Sequence, residues 1–204
     1  MTAVKPHHTP APAVVVDLSV ADLRCRLHDA LAVYVAAMDY PRGTERHRAP
    51  MWTEHTTRPG WRAVAAMTPD SSGRIDVRKA PLTAVAYGYR GDTRQWWHQQ
   101  VDSGMRRSGW PEHSARELLS DYFELTELHV HPTTQGRGIG ATLLERLLRD
   151  RTERAVLLST PEVDREDNRA WRLYRRRGFS DVIRNFVFAG DNRPFAILGR
   201  RLPL

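Results

Sequence analysis

A single cysteine, Cys25, stands in the 204 residues, which excludes an internal disulfide and any multi-cysteine zinc site. Lysine is nearly as scarce: Lys5 and Lys79 are the only two, so the formal charge of +7 rests almost wholly on arginine. The arginines are scattered rather than gathered into a stripe with interleaved aromatics. Nucleic-acid binding is therefore a minor reading, and a polyanionic small ligand fits the charge as well. No apolar run approaches the roughly 20 residues that a membrane helix needs. The first residues also lack the basic start, apolar middle and small-residue cleavage site of an export leader, so the expected location is cytoplasmic. What is present is a hydrophobic fraction of 41% beside 27% charged residues, enough for a real core in one domain.

The proline- and alanine-rich residues 1–16 read as a loose tail, leaving 17–204 as a single domain. From Asp17, leucines 18, 23, 27 and 31 with Tyr34 and Val35 recur at helical steps, capped by Asp17 or Ser19 and ended by Pro41. Residues 41–60 read as a loop with a short helix near 50–57. WRAVAAMTP (61–69) and PLTAVAYGYRG (81–91) are apolar and partly alternating, which predicts an antiparallel hairpin. A helix over 94–107, a Gly-Trp-Pro break and a second short helix precede a strand at 121–130. Then come a glycine loop, the helix ATLLERLLRD, the buried strand 155–160, a helix over 168–177 closed by Gly178, and two final strands. The sum is a mixed α/β fold, with strand pairs first and a β-α-β-α-β unit after them.

The stretch HVHPTTQGRGIGATLL runs from a strand through three glycines into a helix, a geometry that presents free backbone N–H groups to an anion. A P-loop would need Gly-Lys-Ser/Thr at the helix start, and Gly140-Ala141-Thr142 has no lysine. The dinucleotide fingerprint needs G-x-G-x-x-G early in a βαβ unit, whereas this spacing is G-x-G-x-G and lies late in the chain. Tight strand-to-helix packing alone would also explain a single glycine, though not the whole constellation. LHVHPTTQGRGIGA does resemble the pyrophosphate loop of the GCN5-related N-acetyltransferases. Ala170, Leu173, Tyr174, Gly178 and Phe179 match that family's A-x-x-L-Y-x-x-x-G-F. The resemblance is strongest over 121–180.

It implies a mostly antiparallel central sheet flanked by helices, with central strands splayed apart, and acetyl-CoA as co-substrate. Gln135, Gly136, Arg137, Gly138, Ile139, Gly140 and Ala141 would face the pyrophosphate. The main chain of Leu128, His129 and Val130 would pair with the pantetheine arm, a β-bulge opening room for it. Tyr174 would be the general acid, and Glu124 or Glu127 the general base that an ammonium acceptor requires. The family's loop asparagine falls on Asp167, with Asn168 beside it. The implied partner is an amine acceptor, with room for a homodimer and no membrane; a catalytically weak acyl-CoA sensor is the alternative. His129 and His131 share a strand face but lack a third ligand for a metal. Trp96, Trp97 and Trp110 read equally as pocket lining or core; Arg42, His47, Arg48 and Trp52 fall in the loop that the resemblance implies as an acceptor wall, with solvated surface as their default; and Cys25 reads as a small core residue.

Overall fold

A computed structural model describes residues 12–204. The part of the expected tail at 1–11 lies outside them. Seven strands, β1 (Val14–Leu18), β2 (Arg62–Met67), β3 (Leu82–Arg90), β4 (Tyr122–Val130), β5 (Ala155–Pro161), β6 (Ser180–Val187) and β7 (Pro194–Arg201), form one sheet in the order β1-β2-β3-β4-β5-β7-β6. Every pairing is antiparallel except β4 with β5. The helices are α1 (Val20–Cys25), α2 (Leu27–Met38), α3 (Thr44–His55), α4 (Trp96–Arg107), α5 (Glu112–Ser120), α6 (Ile139–Leu148) and α7 (Arg169–Arg176).

The first expectations need correcting. Val14 to Leu18 are an edge strand on β2, not tail and helix, because a run of β-branched valines suits a pleated surface and finds a partner in Ala63–Met67. The helix starts after Ser19, whose side chain closes a capping box with Asp22. It then breaks at Arg26. That guanidinium is buried against the carbonyls of Val77 and Ala80 and paired with Asp29. The break shifts the helical phase, so Cys25 ends α1 exposed rather than in the core. Residues 44–55, read mostly as loop, form the three-turn α3.

One face of the sheet is covered by α6 and α7, whose Leu143, Leu144, Leu147, Trp171 and Leu173 pack on β2–β5 and β7. The other face carries α1–α3 over β1–β3 and α4–α5 over β4–β7. Two irregularities near the middle of β4 shape everything around it. Its pairing with β5 runs only from Tyr122 to Glu124, after which the two strands part. On its other edge, Tyr87 sits opposite Glu127 and Gly88 opposite Leu125, so Thr126 is an extra residue, a β-bulge. Bulging here requires close approach of β3: a Cβ on Gly88 would lie 2.2 Å from the Glu124 carbonyl oxygen and 2.5 Å from the Phe123 ring. Both neighbours are buried and cannot yield without moving the strand. Gly88→Ala is expected to lower stability by about 3 kcal/mol, a fall of roughly 10 °C in melting temperature. Calorimetry showing an unchanged melting temperature would mean that this contact does not hold the bulge in place.

Candidate active site

Side chains three apart on a regular strand point to opposite faces. The extra residue at Thr126 cancels that alternation, and Glu124 and Glu127 emerge on the same face, toward α3. There Glu124 accepts a hydrogen bond from the Tyr89 hydroxyl (3.1 Å), and Glu127 accepts one from Trp52 Nε1 (3.2 Å). Trp52, expected at the surface, is fully buried. The second Glu127 oxygen accepts from His129 Nε2 at 2.5 Å, and the imidazole meets the Tyr34 ring edge-on. His129 is thus committed to Glu127. His131 instead bonds Thr133, and no cluster of three metal-ligating side chains occurs among the described residues.

Glu124 differs from Glu127 in one respect that matters chemically. It is 3% exposed, and its Oε2 has no hydrogen-bond partner among the described residues. Burial pushes its carboxyl from the ordinary 4.5 up to about 7, against the opposing hydrogen bond from Tyr89 and the positive charge of Arg58, which lies over the Tyr89 ring. Glu124 therefore exchanges its proton near neutral pH.

Beyond Glu124, the β5-facing edge of β4 is bare. The His131 N–H donates to Thr83 on β3, and alternation then turns the main chain of His129 toward β3 and that of Leu128 and Val130 into the gap. Gln135 Nε2 caps the Val130 carbonyl (2.9 Å), while its Oε1 accepts from Arg169 at the start of α7. Next to this edge stands the glycine loop. Gly136 and Gly138 both have φ of +79°, the left-handed region, with open space where a Cβ would stand. The amides of Gly136, Arg137, Gly138, Ile139 and Gly140 donate to nothing among the described residues, whereas Ala141 donates to the Gly138 carbonyl and is not free. Five consecutive unpaired amides at the N-terminus of a ten-residue helix make a strong anion cradle. Arg137 extends from it without a carboxylate partner within 4 Å.

Tyr174 approaches the same gap from α7. Its ring is buried beside Phe179, and its hydroxyl makes no hydrogen bond among the described residues. Burial, and then the Glu127 charge, raise its pKa. Asn168 caps α7 by accepting from the Trp171 amide, and Asp167 pairs with Arg172. Of the tryptophans, Trp97 packs in the core, and Trp110 donates to the Val182 carbonyl. Trp96 is 53% exposed and lines an open cavity with Glu54, Arg58 and Asp92.

An anion cradle, a bare strand edge and a buried carboxylate lie around one gap between parallel strands. Residues 97–181 match the family model described as an acetyltransferase (GNAT) domain. Over 201 residues the chain is 55% identical to the GCN5-like protein acetyltransferase Rv2170 of Mycobacterium tuberculosis, covering 93% of this chain and 98% of that protein. This chain belongs to the GNAT family of acetyltransferases. Solved structures agree on the fold. PH1933 of Pyrococcus horikoshii superposes with a TM-score of 0.57 at 17% identity, over 94% of this chain and 99% of that one. The PaiA N-acetyltransferase of Thermoplasma acidophilum, in complex with coenzyme A, gives 0.53 at 13%, over 93% and 99%. One feature of this GNAT chain escaped sequence reasoning: Arg169 lies outside a motif and reaches Gln135 only through the fold, whereas Trp52, among the acceptor-wall residues by resemblance, is buried rather than at the surface.

The Glu124 environment makes a prediction for stability. Below about pH 4.5 the carboxyl is protonated in both the folded and unfolded states. Between 4.5 and 7 only the unfolded state ionises, so folding weakens as pH rises, by roughly 3 kcal/mol in all. Glu124→Gln, which cannot ionise, is expected to match the wild type at pH 4.5 and to exceed it in denaturation midpoint at pH 8. Parallel curves for the two proteins across that range would refute the raised pKa.

Proposed function

We propose that this chain is an acetyl-CoA-dependent N-acetyltransferase that acts on a primary amine of a protein, with both substrates held together in the gap between β4 and β5. The observation that carries the reading is the row of free amides from Gly136 to Gly140, set beside the bare edge of β4 and opposite Glu124. The residues fit the cofactor: the loop amides with Arg137 and Arg169 suit a pyrophosphate, and the main chain of Leu128 and Val130 suits an amide-bearing arm added as a strand. Gln135 positions Arg169 and the end of β4. His129, turned away from the gap, supports Glu127 instead. Acetyl-CoA supplies the acetyl group already activated as a thioester. The protein acceptor draws support from the printed name of the M. tuberculosis relative.

The chain's own residues account for the proton movements. An alkylammonium cannot attack a carbonyl, so a proton must leave it first. Glu124, with one oxygen uncommitted and a pKa near 7, takes that proton directly or through water. Glu127, held by Trp52 and His129, orients the incoming cation from the same face. Tyr174 keeps its proton at Oη on the far side of the gap, as the general acid. The amine attacks the thioester carbonyl directly, with no covalent relay through the protein.

Acetyl-CoA is expected to raise the melting temperature of the wild type, with CoA competing. Gly138→Val, forced from a left-handed φ, loses most of that shift; no shift for the wild type at millimolar acetyl-CoA would sink the proposal. Tyr174→Phe and Glu124→Gln should keep the shift while kcat for acetylation falls about 100-fold or more. For the wild type, kcat/KM should climb through pH 7, a limb that Glu124→Gln lacks. Glu127→Gln is expected to act mainly on KM. If Tyr174→Phe turned over at the wild-type rate, the hydroxyl would have no part in proton transfer.

A further inference from the structure

The wall facing Glu127 is built by α2 and α3. Tyr34 and Trp52 pack around the Glu127–His129 pair, and Tyr40 accepts a hydrogen bond from Arg193 (2.8 Å), joining the α2–α3 connection to the β6–β7 turn. Arg48 stands in this wall, half-buried, and its surroundings are unusual. Its guanidinium lies 5.7 Å from the centre of the Tyr34 ring, within reach of the Tyr34 hydroxyl, and makes a long 3.8 Å approach to Met51 Sδ. No carboxylate comes within 4.0 Å of it among the described residues. Neighbouring cations are satisfied: Arg58 pairs with Glu54, and Arg193 with Asp191. Arg48 lies over the Tyr34 ring, which meets His129 edge-on, so it stands at the rim of the Glu127–His129 pair; its charge bears on Tyr34, Tyr87 and also Asp191. A half-buried guanidinium with no carboxylate in direct contact offers a planar fork suited to one.

We propose that Arg48 recognises a carboxylate beside the reactive amine, so that the preferred acceptor is a lysine with an aspartate or glutamate neighbour in the polypeptide. The inference rests on the N-acetyltransferase reading above. The wall is dipolar in the sense that such a segment requires: Glu127 is negative where the ammonium enters, and Arg48 is positive further along α3. A single charge-assisted contact of this kind is worth about tenfold in kcat/KM.

The test uses the full chain, acetyl-CoA and three blocked peptides, each with one lysine flanked by Asp and Glu, by Asn and Gln, or by Arg. Release of free CoA is followed and the product located by mass spectrometry. The wild type should favour the acidic peptide over the amide peptide about tenfold. Arg48→Gln should bring that ratio near one, Arg48→Lys should retain part of it, and Arg48→Glu should turn the preference toward the Arg-flanked peptide. Arg46→Gln removes an equal charge from the exposed side of the same helix and should leave the ratio unmoved. The acetyl-CoA melting shift verifies that each variant is folded. Equal rates on all three peptides, or equal loss of preference in Arg46→Gln and Arg48→Gln, would overturn the assignment to Arg48 while leaving lysine acetylation standing. Acetylation of no peptide, with the melting shift intact, would remove the acceptor reading itself and this inference with it.

Discussion

The three-residue contact between β4 and β5 is the constraint from which the rest of the site follows. Two parallel strands that stayed paired would satisfy each other's main chain and leave no room between them. Here pairing ends at Glu124 and Leu157, and the extra residue at Thr126 bends β4 away just beyond that point. The departure leaves the main chain of Leu128 and Val130 facing a gap and opens a path between the two faces of the sheet. It also rephases the strand, so that two carboxylates three residues apart share one face. One inserted residue thus makes the slot, the bare edge and the paired acids together. Gly88 is the condition for it, because β3 has to approach the bulge more closely than any side chain allows.

The electrostatics follow from the same geometry. Glu124 lies at the closed end of the gap, among Tyr89, Tyr122 and the Arg58–Tyr89 stack. Its environment is dry enough to lift its pKa yet supplies only one hydrogen bond. Glu127, a short distance toward the open end, has both oxygens occupied by rigid donors. The two acids are therefore unequal: one can exchange a proton near pH 7, and the other has both oxygens taken up by hydrogen bonds. Placing similar groups in unlike environments is how a single chemical type serves two roles. Tyr174 completes the set from the α7 side, kept neutral by burial.

The cofactor side was legible in the residues because backbone geometry constrains residue type. Left-handed φ at Gly136 and Gly138 demands glycine, a helix start after a strand leaves free amides, and a buried helix end facing a strand requires the spacing of Ala170, Leu173 and Tyr174. Each demand leaves a mark at fixed intervals. The strand pairs were legible from alternation, and so were the helices of the second half from their leucine stripes. The first third was not. Val14–Leu18 has strand propensity in a context rich in proline, and only pairing with β2 decides the matter. The burial of Arg26, which breaks the first helix, depends on carbonyls more than fifty residues away. α3 carries almost no amphipathic signal, since TERHRAPMWTEH has Pro50 inside it and few apolar residues. Its role appears only when Trp52 and His55 are seen turned inward.

That difference bears on how the two substrates are recognised. An anion cradle made of amides is nearly indifferent to side chains, so its chemistry rests on backbone conformation. The wall opposite Glu127 is made of side chains on a helix with little intrinsic pattern, and its properties can change with single residues. Arg48, Trp52 and Tyr40 are held by packing against Tyr34, Glu127 and Arg193 rather than by any backbone requirement. Substitution at these positions would change the wall without moving the gap, the cradle or Glu124. The fold thus separates a cradle and strand edge fixed by main chain and glycine from a wall fixed by side chains of α3.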